Sequence, residues 1–108
     1  MPAFLYARPD TLDEALGLLA ARREGATVLA GGQSLLAMLN LRLTQPEVLL
    51  DINRIAELAG IALHDDHIRI GALTRHAAVL ASPVVARHLP LIALAMPHVA
   101  HLAVRNRG

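Results

Sequence analysis

The stretch Val28-Leu29-Ala30-Gly31-Gly32-Gln33-Ser34-Leu35 admits few architectures, because an apolar strand candidate runs into two adjacent glycines and then straight into helix-forming residues. Two residues without Cβ let the backbone turn tightly and approach a ligand closely. A helix starting near Ser34 aims its free N–H groups and the positive end of its dipole at that turn, which is the build of a phosphate or pyrophosphate cradle. The same residues also serve as an ordinary strand-to-helix turn. The glycine pair alone leaves both readings open.

The flanking chain supplies an α/β frame for this element. Phe4 to Ala7 is a short strand candidate, closed by Arg8-Pro9. Thr11-Leu12-Asp13-Glu14 matches a capping box and predicts a helix whose inner face carries Leu12, Ala15, Leu16, Leu19 and Ala20, with Gly25 as its stop. Thr27 to Ala30 is apolar enough to predict a strand buried on both faces, in a parallel or central position. Strand, helix, strand then implies a right-handed crossover. Ser34 is positioned to cap a helix to about Leu41, Val48 to Asp51 reads as a third strand, and Asn53 as the cap of a short turn over 54–57. Asp65-Asp66 divides two runs into a hairpin in which Ile61, Leu63, Ile68 and Ile70 face one way. From Thr74 the pattern is helical: one helix to Ala81, a second with Ser82 as cap and Pro83 at its first position, and a third from Pro90 that Pro97 kinks or ends. The compositional shift places a boundary at residue 72, giving an α/β subdomain over 1–72 and a helical start of a second subdomain over 73–108.

Composition removes several functions. A chain of 108 residues has room for one modest domain, and with 2% aromatic residues the core has to be aliphatic. Scarce aromatic rings leave few platforms on which bases stack, and the ten arginines are interspersed with nine acids to a net charge of +1, so nucleic acid is not an expected partner. Without cysteine there are no disulfides, thiolate metal sites or iron–sulfur ligands in this chain. The longest apolar run, Leu89 to Pro97, falls well short of the ~20 residues a membrane span needs, and the N-terminal residues do not form a signal peptide. The expectation is a soluble, cytoplasmic protein.

Other constellations have plainer explanations. His64-x-x-His67 beside Asp65-Asp66, and His98-x-x-His101, have ligand spacing, but solvated or carbonyl-bound histidines account for both, and no metal is assigned. Ser34 lacks a nucleophile elbow and is explained by capping; no catalytic side chain is assigned. Arg105 and Arg107 have the chemistry to bind phosphate, but on their own two solvated arginines near a terminus are the simpler account. Neither G-x-G-x-x-G nor the P-loop pattern occurs, so a phosphate site at Gly31-Gly32 is of another kind.

Taken in series, Ala30-Gly31-Gly32-Gln33-Ser34-Leu35, Ile70-Gly71-Ala72-Leu73-Thr74-Arg75-His76 and Val104-Arg105-Asn106-Arg107-Gly108 resemble the FAD-binding (medium) subunit of molybdenum hydroxylases. This is the family of the carbon monoxide dehydrogenase medium subunit and the xanthine dehydrogenase flavin domain. Phe4 to Leu19 and Leu50-Asp51-Ile52 fit the same pattern, so the resemblance covers the whole chain. It implies the N-terminal part of a vanillyl-alcohol-oxidase/p-cresol-methylhydroxylase-type FAD domain (α/β, α+β), with FAD as cofactor. Its pyrophosphate would be wrapped by Val28, Leu29, Ala30, Gly31, Gly32, Gln33, Ser34 and Leu35. Also implied are a molybdenum-cofactor subunit and an iron–sulfur subunit as partners, with electrons leaving FAD for an external acceptor. In the family a second glycine loop, Thr-Ile-Gly-Gly-Ser or similar, follows the Arg105–Gly108 turn; this sequence ends at Gly108 and reads as an N-terminal fragment, inactive alone. A pyrophosphate held from one side forgoes charge-assisted bonds of about 1.5–3 kcal/mol each, so weak FAD retention is expected. The alternative is an interaction or self-association module that keeps the fold without FAD.

Overall fold

The computed structural model describes residues 5–99 and 102–108. Phe4, assigned above to the first strand, lies outside them. The contacts gather into two compact units that divide after Glu57.

The first unit is a three-stranded parallel sheet with its helices. Strand β1 (Leu5–Ala7) leads to α1 (Leu12–Ala21), β2 (Ala26–Leu29), α2 (Leu35–Asn40) and β3 (Val48–Asp51). The strand order is β1-β3-β2, so β3 is inserted between the first two, with Tyr6 opposite Leu49 and Val28 opposite Leu50. This corrects the expectation for residues 27–30. The strand here, Ala26–Leu29, is an edge strand in which Val28 is 41% exposed, with Ala30 just beyond it, and it is β3 that is buried throughout. Both strands are apolar, and apolar content does not tell an edge from a centre. A strand with neighbours on both sides has its side chains flanked on each face by those of both neighbours, and Leu49 and Leu50 in this central position are buried.

Helix α1 begins as its sequence predicts: Thr11 Oγ1 accepts the Glu14 N–H at 3.2 Å. Glu14 reaches back to the Asp10 N–H at 3.4 Å, one residue before the cap. The predicted face is partly wrong, since Ala15 is buried and Leu12 and Leu19 half-buried, but Leu16 and Ala20 are exposed. Gly25 is not the stop either. The helix ends at Ala21, and the Gly25 carbonyl instead accepts the N–H groups of Glu47 (2.8 Å) and Val48 (3.0 Å), starting the β3 pairing. Helix α2 buries Leu39 alone. Ser34 stands at its N-cap position in helical conformation and makes no side-chain cap bond, contrary to the capping expectation.

The second unit contains the hairpin β4 (Ile61–Leu63) and β5 (Ile68–Ile70), then α3 (His76–Ala81), α4 (Pro83–His88), α5 (Pro90–Ala95) and α6 (Leu102–Arg105). Ile61 pairs with Ile70 and Leu63 with Ile68, the register the alternation predicts. The Ser82 hydroxyl accepts the Val85 N–H at 3.2 Å with Pro83 at the first helical position, and Pro97 sits in a 3-10 turn that ends α5. Leu73, Val79 and Val85 are the buried apolar side chains among those described here.

Candidate functional site

Because the three strands are parallel, Ala7, Leu29 and Asp51 end at one edge of the sheet, the edge where ligands of open parallel sheets bind. The glycine pair leaves from that edge. Gly32 has φ +78°, a left-handed conformation, and a Cβ there would stand 3.1 Å from Leu36 Cδ1 and 3.2 Å from Leu29 Cδ1. The left-handed conformation is what calls for glycine here, and the surrounding leucine side chains leave a Cβ only tight space. Among the described residues, the N–H groups of Gly31, Gly32, Gln33 and Ser34 donate to no backbone acceptor; the ladder of α2 opens with the Leu36 N–H on the Gly32 carbonyl at 3.2 Å. Four successive donors are left at the carboxyl edge of the sheet.

Behind this loop lies a polar network that spacing did not reveal. Asp51, 7% exposed at the end of β3, accepts the Tyr6 hydroxyl, the Asn53 backbone N–H at 2.9 Å and the Asn53 Nδ2 at 2.7 Å. Asn53 Nδ2 also donates to the Ala30 carbonyl at 2.8 Å. Burial is the largest influence on the Asp51 carboxyl and pushes it up. The hydrogen bonds from Tyr6 and Asn53, with the Arg8 charge, outweigh burial and hold the carboxyl below its ordinary value. The Tyr6 phenol is pushed above its ordinary value, first by its bond to Asp51 and then by partial desolvation and the Asp51 charge, against Arg8 and Arg54. The only sequence signal was Asp-x-Asn, an Asx-type pattern that shows a local turn and not the distant Ala30.

In the second unit the other two motifs meet. Arg75 Nη1 donates to the Arg107 carbonyl at 2.6 Å and the His76 N–H to the Gly108 carbonyl at 2.7 Å, so Thr74-Arg75-His76 holds the turn at 105–108. Arg105 Nη1 donates to the Val99 carbonyl at 3.2 Å. Gly71 is tied to the segment before the hairpin: its N–H bonds to the Gly60 carbonyl at 2.9 Å, and a Cβ at this position would drive into the Leu58 carbonyl oxygen. Thr74 Oγ1 accepts the Gly60 N–H at 2.9 Å and donates to the Gly60 carbonyl at 3.0 Å, closing the same knot.

The histidine pair at the hairpin tip stacks ring on ring, His64 to His67 at 4.5 Å, with Asp66 Oδ1 2.6 Å from His67 Nδ1. No group of three metal-ligating side chains gathers among the described residues. Of the pair His98 and His101, the second lies outside the described residues.

Residues 2–108 match the family model described as the FAD binding domain in molybdopterin dehydrogenase. The chain belongs to this family. It is 47% identical to the carbon monoxide dehydrogenase medium chain of Hydrogenophaga pseudoflava, over 99% of this chain and 37% of that protein. To the alpha subunit of the 6-hydroxypseudooxynicotine dehydrogenase complex of Paenarthrobacter nicotinovorans it is 45% identical, over 99% of this chain and 36% of the relative. A solved structure of the Hydrogenophaga pseudoflava carbon monoxide dehydrogenase, lacking the Mo-pyranopterin moiety of its cofactor, matches with TM-score 0.92 at 47% identity, covering 99% of this chain and 37% of that one. The chain thus spans little more than a third of the length of the curated relatives it matches. The mixed α/β class expected from the sequence agrees with that likeness. No described helix is long and apolar enough to cross a membrane.

Proposed function

We propose that this chain supplies the FAD-binding part of the medium subunit of a molybdenum hydroxylase-type dehydrogenase, with the backbone of Val28 to Leu35 wrapped around the FAD pyrophosphate. The observation that carries the reading is the row of N–H donors at Gly31 to Ser34, beyond the end of a parallel strand and with a left-handed glycine at 32. Such a row suits two adjacent phosphates, because each backbone amide offers a bond to an anionic oxygen and the two glycines put no side chain in the way. FAD supplies the redox chemistry when bound; the chain's residues bind and orient it, and none acts as acid or base. On this reading 1–72 forms the cofactor-binding subdomain and 73–108 begins a second, held in shape by the Arg75 and His76 bonds to residues 107 and 108. The partners are a molybdenum-cofactor subunit and an iron–sulfur subunit in the cytoplasm, from which electrons pass by way of FAD to an acceptor such as NAD, a quinone or oxygen.

The test is flavin uptake. The chain is expected to take up added FAD, read by absorbance of the protein after gel filtration and by titration where retention is weak. Gly32→Val is expected to abolish uptake, with circular dichroism confirming that the variant remains folded. Normal uptake by a folded Gly32→Val protein sinks the assignment of the loop. A second reading, a self-associating or partner-binding module without FAD, is favoured by Leu91 and Leu94 on α5, which are 78% and 72% exposed. Its signature is a colourless protein that binds no added FAD and sediments as a dimer or larger.

A further inference from the structure

We propose that Asn53 is a positioning residue for the loop at 30–34: its side-chain amide, bridging the Asp51 carboxylate and the Ala30 carbonyl, sets the direction in which the Gly31 N–H is offered to a pyrophosphate. The inference rests on the reading of residues 28–35 as the pyrophosphate loop. Both groups facing Asn53 Nδ2 are pure acceptors, the Asp51 Oδ1 at 2.7 Å and the Ala30 oxygen at 2.8 Å. An NH2 group carries two hydrogens and satisfies both at once; an oxygen in its place satisfies neither. The Ala30–Gly31 peptide is planar, with its C=O and N–H pointing opposite ways. Drawing the Ala30 oxygen toward Asn53 therefore turns the Gly31 N–H away from Asn53.

The anchor behind Asn53 is firm for a structural reason. Asp51 ends the buried central strand and is held by the Tyr6 hydroxyl and by the backbone N–H of Asn53 itself. The chain of bonds from Tyr6 on β1, through Asp51 on β3 and Asn53, to Ala30 just after β2 ties together the carboxyl ends of all three strands. A loop with a left-handed glycine at 32 has several accessible paths, and this tie selects one before ligand arrives. Preorganised donors lose less freedom on binding.

The experiment is an amide-shift titration of the 108-residue, 15N-labelled chain with FAD, and separately with inorganic pyrophosphate, on the parent and on Asn53→Asp and Asn53→Ala. Expected are shifts at 31–34 in the parent and apparent affinities roughly tenfold weaker in both variants for both ligands, as for one interaction of ~1.4 kcal/mol. The melting temperature without ligand should stay within a few degrees of the parent. Parent-like affinity in the variants, a loss seen with FAD but not with pyrophosphate, or an affinity loss that merely tracks a fallen melting temperature overturns the positioning role and leaves the loop assignment standing. If the parent's residues 31–34 respond to neither ligand, the loop assignment fails and takes this proposal with it.

Discussion

At the scale of single residues, the Tyr6–Asp51–Asn53 network makes stability depend on pH from both sides. The Asp51 carboxyl is held below its unfolded value, so its contribution is present above the ordinary carboxylate range and is lost as pH falls through the depressed folded value. The Tyr6 phenol is raised, so its contribution is present below its unfolded value and is lost as pH rises through the folded one. Denaturant midpoints measured across pH should therefore form a plateau with an acid and an alkaline limb, and Tyr6→Phe should flatten the alkaline limb. Asp51→Ala strips the acceptor from three donors in a largely buried place and should lower stability by about 1–3 kcal/mol in urea melts. Gly71→Ala belongs to the same scale: its Cβ collides with backbone, which cannot rotate aside as a side chain can. A loss of about 1–3 kcal/mol, read as a lower thermal midpoint, is expected.

At the scale of elements, the end of α2 shows how a local rule is met by an unexpected residue. The Leu43 N–H bonds to the Met38 carbonyl at 2.9 Å and the Arg42 N–H to that of Leu39 at 3.1 Å, the bond pair of a Schellman motif. Its left-handed position is filled by Arg42, at φ 58°, where glycine is usual. Relief of about 1–2 kcal/mol of left-handed strain by Arg42→Gly is partly offset by the freer unfolded chain, about 0.4–1 kcal/mol. The expected outcome is a gain of up to about 1 kcal/mol in chemical denaturation. At the start of α4 the opposite holds, for sequence and structure agree on Ser82. Ser82→Ala should cost about 1 kcal/mol, read in the same melts.

At the scale of the whole molecule, burial is concentrated in β3, and hydrogen exchange should be slowest at Leu49 and Leu50, with the hairpin amides exchanging sooner. Uniformly fast exchange across β3 would contradict a central strand. The order of elements, the caps of α1 and α4, the hairpin register and the glycine turn were all legible in the sequence. Each depends on residues a few positions apart, where propensity and side-chain reach decide the outcome. Which strand lies in the middle was not legible, because Val28 and Leu49 look alike until a neighbour pairs with them. Nor was the meeting of Asn53 with Ala30, or of Arg75 and His76 with residues 107 and 108. Those contacts join segments with no local preference for each other, and only the packing of the sheet and helices brings them within hydrogen-bonding distance. The sequence alone therefore determined that a glycine loop follows a strand in a chain built like an FAD-binding subunit. The tertiary structure decided how that loop is held, because the direction of its donors depends on a side chain from another strand's end.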